Sequence, residues 1–289
     1  MAIALVHIAL VAYLAASVSY LAWLLSPRPR LVSIGRLGLL AGLLLHLGAF
    51  AIARHAGLEG PTAWRGGQLF SLLSGALVAV YLALDLRYRL PVAGAFVGPL
   101  VVAVMIPAHL VPSRAREVAP ILTHSLILPL HVAAATLGTA ALALAFALAL
   151  LYLAGERQLK HKNPGRLFAR LPSLALIDKL GYRLSVWGFI FLSLAIATGS
   201  FAAKESIGHA LPFAAKELFA VLAWLLLAAM IQARLVAGWR GRRVALLVVA
   251  GFVLLIGTYV ALLAAPQLPG RTSVALNVPV SRSSSRESR

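Results

Sequence analysis

Eight apolar runs, each about as long as a helix needs to cross a hydrocarbon layer, leave this chain few ways to fold. A core roughly 30 Å thick takes about 20 helical residues. Breaks at charge or proline place the spans near residues 2–25, 31–53, 68–86, 90–111, 125–153, 182–203, 213–235 and 244–265. Backbone polar groups inside lipid must pair within their own segment, so the expected fold is all-α, a polytopic membrane helical bundle. The composition agrees: 61% of residues are hydrophobic and the mean hydropathy is +0.93, against roughly 45–50% apolar residues in soluble domains. One domain, residues 1–265, is expected, with a disordered Pro/Ser/Arg-rich tail over 266–289. The first residues lack a basic region and a cleavage signal, and read as a retained span. Connections are short except between spans five and six, where a basic segment over 155–180 is expected to intervene.

Lys and Arg collect on cytoplasmic loops, and this sets orientation. Odd-numbered connections hold Arg28, Arg30 and Arg36, then Arg87 and Arg89, then a run from Arg157 to Arg183, then Arg234 and Arg240 to Arg243. Even-numbered connections hold only Arg54, Arg65, Arg114, Arg116, Lys204 and Lys216. Both termini are therefore expected outside a bacterial cytoplasmic (inner) membrane, although the basic tail pulls mildly the other way. The net charge of +18 is spread over loops beside the spans. That pattern suits a lipid bilayer with anionic headgroups and no nucleic-acid partner. The absence of cysteine excludes disulfides, thiolate metal sites and thioether attachment of haem to this chain.

Seven of the eight histidines then fall toward the outer side. His7, His46 and His131 lie within spans one, two and five, all roughly 8–10 Å below the outer boundary at 1.5 Å per residue. His109 and His124 sit at span ends, His55 and His209 in outer loops, and His161 inside. An intramembrane imidazole is costly and marks a functional candidate. Facing helices that project histidines at one depth can ligate haem iron, or can hold the bundle together by hydrogen bonds. Lys216 and Glu217 bring charge to the same side, where Lys216 can pair with a propionate or a headgroup. Phe-Ala-Ala-Lys-Glu occurs at both Phe201 and Phe213, too short a match to imply duplication.

His131 opening span five, Gln158-Leu-Lys-His-Lys-Asn163, Leu171-Pro172, Leu180-Gly-Tyr-Arg183, Gly199, and Gly238-Trp-Arg-Gly-Arg-Arg243 before a last span with Gly251-Phe252 form a recognisable series. Together they resemble the cytochrome c assembly protein family (CcsA-like), and within it the shorter HemX-like or YpjD-like branch. The likeness covers most of the chain and is strongest from His131 to Tyr259. It implies haem as cofactor, with His46 and His131 as iron ligands, while His7, His124, His209 and Lys216, by their position on the same side, are candidate further haem contacts. It also implies other cytochrome c assembly membrane proteins as partners, with apocytochrome c or a tetrapyrrole-synthesis enzyme beyond them. The family's synthases carry a tryptophan-rich outer loop ending in Asp-Pro-Lys-Glu. Here Ile207, Leu211 and Phe213 replace tryptophans, Ala214-Ala215 replaces Asp-Pro, and Gln232 stands where many relatives have histidine. The resemblance therefore implies a haem-handling accessory protein rather than a complete synthase, with a haem-free regulator of early tetrapyrrole synthesis as the alternative.

Other chemistry is poorly provided for. Only Glu217 and Asp85 of eight carboxylates approach a span, and neither a nucleophile elbow nor a phosphate-binding glycine loop is present. A solute transporter would show inverted repeats or broken helices, and none is evident. Gly38 with Gly42, and Gly94 with Gly98, predict close helix contacts. Pro91, Pro99 and Pro107 predict a bent fourth span, and Trp187, Trp224 and Trp239 read as packing or interfacial residues.

Overall fold

The computed structural model describes residues 2–55, 66–110, 126–161, 170–207 and 215–264. Among them are eight helices and no strand: α1 Ala2–Leu25, α2 Pro29–His55, α3 Gly66–Tyr88, α4 Pro91–Leu110, α5 Ile127–Lys160, α6 Leu174–Ile207, α7 Ala215–Val236 and α8 Arg242–Ala264. All eight are long and apolar enough to cross a membrane, and the chain is an all-α multi-pass bundle. His124, His209, Leu211, Phe213, the residues replacing Asp-Pro and the tail lie outside the described residues or their side chains.

The packing of α1–α4 recurs in α5–α8: first on second, third on fourth, first on fourth. α3 and α4 then lean on α5, which joins the two halves. In α5, 67% of its most apolar stretch is buried, against 17% in α6 and α7, so α5 is the central helix. Its sequence suits that place: Gly138, Thr139, Ala140, Ala141, Ala143, Ala145, Ala147 and Ala149 are small and buried, which lets neighbours approach closely. A Cβ on Gly138 would meet Phe191 and Leu192 at 3.1 and 3.2 Å.

Tyrosines seated on glycines lock the first helix pair. Tyr20 lies over Gly35 and Tyr13 over Gly42, where any Cβ would collide with the ring, and Gly38 faces Ala12 and Ala16. Gly94 and Gly98 of α4 meet Tyr20, Tyr81 and Ser17. The expected close contacts are thus real, and each glycine is the space that a neighbour fills.

Two predicted boundaries move. α5 runs on to Lys160 and α6 starts at Leu174, so half of the expected 155–180 connection is helix, on its two flanks. Hydropathy marks where lipid ends, not where a helix must. Glu156 and Lys160 pair one turn apart at 2.9 Å. Leu171 and Leu174 close on Gly155. α4 is helical through Pro99 and Pro107, and Pro129 falls in the first turn of α5, where a missing N–H costs little.

The bundle has two distinct ends. One, here the arginine end, holds Asp85 and Asp178. Asp85 receives Arg36 Nε at 2.6 Å and the Leu90 backbone N–H at 2.7 Å. This closes the α3–α4 turn around Arg89, a non-glycine residue at φ 51°. Asp178 receives both Arg234 nitrogens at 3.1 and 2.7 Å and the Gly241 N–H at 3.1 Å. Arg36 and Arg234, read from the sequence as loop cations, are instead helical partners of carboxylates, so they count less toward orientation. Arg170 caps the last turn of α1 through the Trp23 and Leu24 carbonyls. The opposite, histidine end carries His46 and His131.

Candidate functional site

His131 stands in the first turns of α5 against α6. Its Nδ1 lies 2.8 Å from the Ala195 carbonyl and 3.3 Å from Thr198 Oγ1. A carbonyl only accepts, so Nδ1 carries the hydrogen, and in a neutral imidazole Nε2 is then a lone pair. Such a backbone contact orients a ligating histidine and raises its basicity. Gly199 completes the cradle: a Cβ there would sit 2.8 Å from His131 Cε1 and 3.1 Å from Nδ1. Lys216, in the first turn of α7, is within electrostatic reach of this ring and also pairs with Glu217 at 3.0 Å. Glu217 Oε2 is buried without a partner.

His46 sits deeper, 6% exposed, between α1 and α3. Its Nε2 lies 2.7 Å from Ser71 Oγ, while Nδ1 has no partner. Gly75 faces the Nδ1 side, and the Tyr13 ring lies 6.3 Å away centroid to centroid. Next to Ser71 in sequence, Phe70 of α3 packs on Tyr259 of α8 at 5.8 Å, and the Tyr259 hydroxyl meets Thr139 Oγ1 of α5 at 3.0 Å.

The two imidazoles are not in contact. α3 touches both α2 and α5, and each histidine is engaged by its own neighbours. Of the other expected haem contacts, His7 is exposed on α1, Lys216 lies near His131, and His124 and His209 fall outside the described residues. His55 and His161 are exposed. An open groove of about 550 Å³ at the arginine end, lined by Leu153, Ala154, Arg157, Gln158 and His161, touches neither His46 nor His131. Among the described residues no group of three or more His, Asp or Glu side chains gathers around a metal position.

Sequence reasoning missed Ser71, Tyr13, Thr139 and Tyr259, since single hydroxyls in apolar helices carry no periodic signal. It also credited the Gly238–Arg243 motif only with resemblance. Its glycines have a backbone reason, at φ 66° and 68°, and the turn is tied to Asp178.

The family described as Cytochrome C assembly protein matches residues 5–265. Among curated relatives, Cytochrome c biogenesis protein CcsA of Parasynechococcus marenigrum (strain WH8102) is 37% identical over 91 residues, 32% of this chain and 30% of the relative. The same-named protein of Synechococcus sp. (strain CC9902) is 35% identical over 103 residues, 34% of each chain. That of Trichormus variabilis is 38% identical over 84 residues, 29% of this chain and 24% of the relative. The matched stretch thus spans about a third or less of these relatives' length. With its match running through all eight helices, the chain belongs to the cytochrome c assembly protein family.

Proposed function

We propose that this multi-pass membrane protein handles haem during cytochrome c assembly, as an accessory component of the HemX-like kind. The observation that carries the reading is the His131 imidazole. Its Nδ1–H is tied to Ala195, which makes Nε2 the lone-pair nitrogen of the neutral ring, in a chain whose family match is named for cytochrome c assembly.

The residues fit an iron porphyrin as cargo. Haem supplies iron with axial positions that a neutral imidazole can fill. His131 offers Nε2, and His46 is the second candidate ligand, once its Ser71 contact opens. Lys216 is suited to a propionate, while apolar helix faces cover the macrocycle. His7, His124 and His209 remain candidate contacts from the same side. Because both histidines sit among packed helices, entry requires α2–α3 and α5–α6 to part. The replaced tryptophans and Asp-Pro favour a role beside a synthase over synthase activity in this chain alone.

The partners in this reading are other membrane proteins of cytochrome c assembly and, through them, apocytochrome c. The histidine end faces outward from a bacterial cytoplasmic membrane, with both termini on that side, as the arginines at the other end favour. The test is a visible spectrum of the purified protein with added haemin. A Soret band that weakens in His131→Ala and His46→Ala is expected. A spectrally silent protein whose loss disturbs a tetrapyrrole-synthesis enzyme would overturn the reading and point to a haem-free regulator.

A further inference from the structure

His46 has an unfinished set of hydrogen bonds. Ser71 Oγ meets Nε2 at 2.7 Å, but Nδ1 is buried without a partner. Beside it Tyr13, fully buried, carries a hydroxyl that also lacks a partner. The Tyr13 ring is fixed over Gly42, one helical turn before His46. Gly75 keeps the Nδ1 side of the imidazole uncrowded, since even a Cβ there would only touch it at 3.7 Å.

A neutral imidazole has one N–H and one lone pair. In the tautomer in which Ser71 donates into the Nε2 lone pair, that nitrogen is closed to a metal and Nδ1 carries the hydrogen. In an apolar interior an N–H needs an acceptor, and a ligating histidine almost always has one for its second nitrogen. The neighbouring Tyr13, its ring 6.3 Å from the imidazole centroid to centroid, carries an unpartnered oxygen. Ser71, for its part, can turn its hydroxyl to the Gly67 carbonyl four residues earlier, as helical serines do.

We infer that Ser71 and Tyr13 form a two-position latch on His46. Ser71 holds Nε2 at rest, and Tyr13 accepts the Nδ1–H when Nε2 engages the iron of an incoming porphyrin. No proton changes owner: the Ser71 hydrogen bond breaks as the Nε2–iron bond forms. The latch rests on the haem reading above and adds two positioning residues to it.

The test titrates haemin into the full chain in lipid nanodiscs. Ser71→Ala removes the resting contact and should tighten haemin binding by about 3–10-fold, the worth of one hydrogen bond. Tyr13→Phe keeps the ring on Gly42 and should weaken binding by a similar factor. It should also raise the bound haem's midpoint potential, because an acceptor on Nδ1–H makes the imidazole more basic. Both effects should vanish in a His46→Ala background. A merely structural role would make both substitutions weaken binding, and that result, or effects that persist without His46, overturns the latch. Haemin bound equally by wild type and both variants sinks the latch alone. Wild-type protein that takes up no haemin sinks the haem reading and the latch with it.

Discussion

At the arginine end, Asp85 and Asp178 each accept from a guanidinium on a neighbouring helix and from the backbone N–H of an adjoining turn. At the histidine end, among the described residues, His46 Nδ1, Tyr13 Oη and Glu217 Oε2 are buried without a partner. Six buried side-chain polar atoms among the described residues lack a partner, and four of them, on Tyr13, His46, Glu217 and Thr258, lie in the histidine half. An unpaired polar group in an apolar interior is expensive, so each of these atoms is a place where a further partner would be stabilising. The first end is a lock, and the second is an open set of donors and acceptors.

Substitutions should separate the two. The largest effect on stability is expected from Asp85→Ala, which leaves Arg36 and the Leu90 N–H without a partner. Arg36 is 37% exposed, so the cost, about 3 kcal/mol, falls mainly on the buried Leu90 N–H. Thermal unfolding in detergent should show it, while haemin bound per folded molecule stays unchanged. His131→Ala should do the reverse, cutting haemin affinity at least about tenfold, or roughly 1.4 kcal/mol, with a smaller loss of stability. Gly199→Ala sits between these. Its Cβ would press on His131 Cε1 at 2.8 Å, and overpacking of this kind costs about 1–3 kcal/mol. The ring should leave Ala195, and haemin affinity should fall even though no ligand was removed. Smallest is Ser193→Ala, which frees Trp224 Nε1 from its 2.7 Å bond, for about 1 kcal/mol and no change in haemin titration. If Asp85→Ala abolishes haemin binding in protein that remains folded, the division between lock and site is wrong.

The eight spans were legible because hydropathy over some twenty residues is a long, redundant signal. The long connection was not. The Glu156–Lys160 pair and the leucines over Gly155 extend helices beyond the apolar stretch. Charge counting likewise placed Arg36 and Arg234 among free loop cations, because a count cannot see that Asp85 and Asp178 lie opposite them. Of the candidate site, His46, His131, Gly199 and Lys216 are residues that the sequence alone singles out, since imidazoles are rare inside spans and the resemblance includes the glycine. Their surroundings could not. Ser71, Tyr13 and the Ala195 carbonyl matter only through the helix each one faces, and a single sequence does not encode that neighbour locally.

The most direct measurement is pulsed electron paramagnetic resonance on ferric haem bound to protein labelled with ¹⁵N at histidine. Histidine nitrogens coupled to the iron are expected, with one of them lost in His131→Ala, the remaining coupling lost when His46→Ala is added, and both retained in Asp178→Asn. Bound haem with no histidine coupling, or couplings unchanged in His131→Ala, would contradict the account.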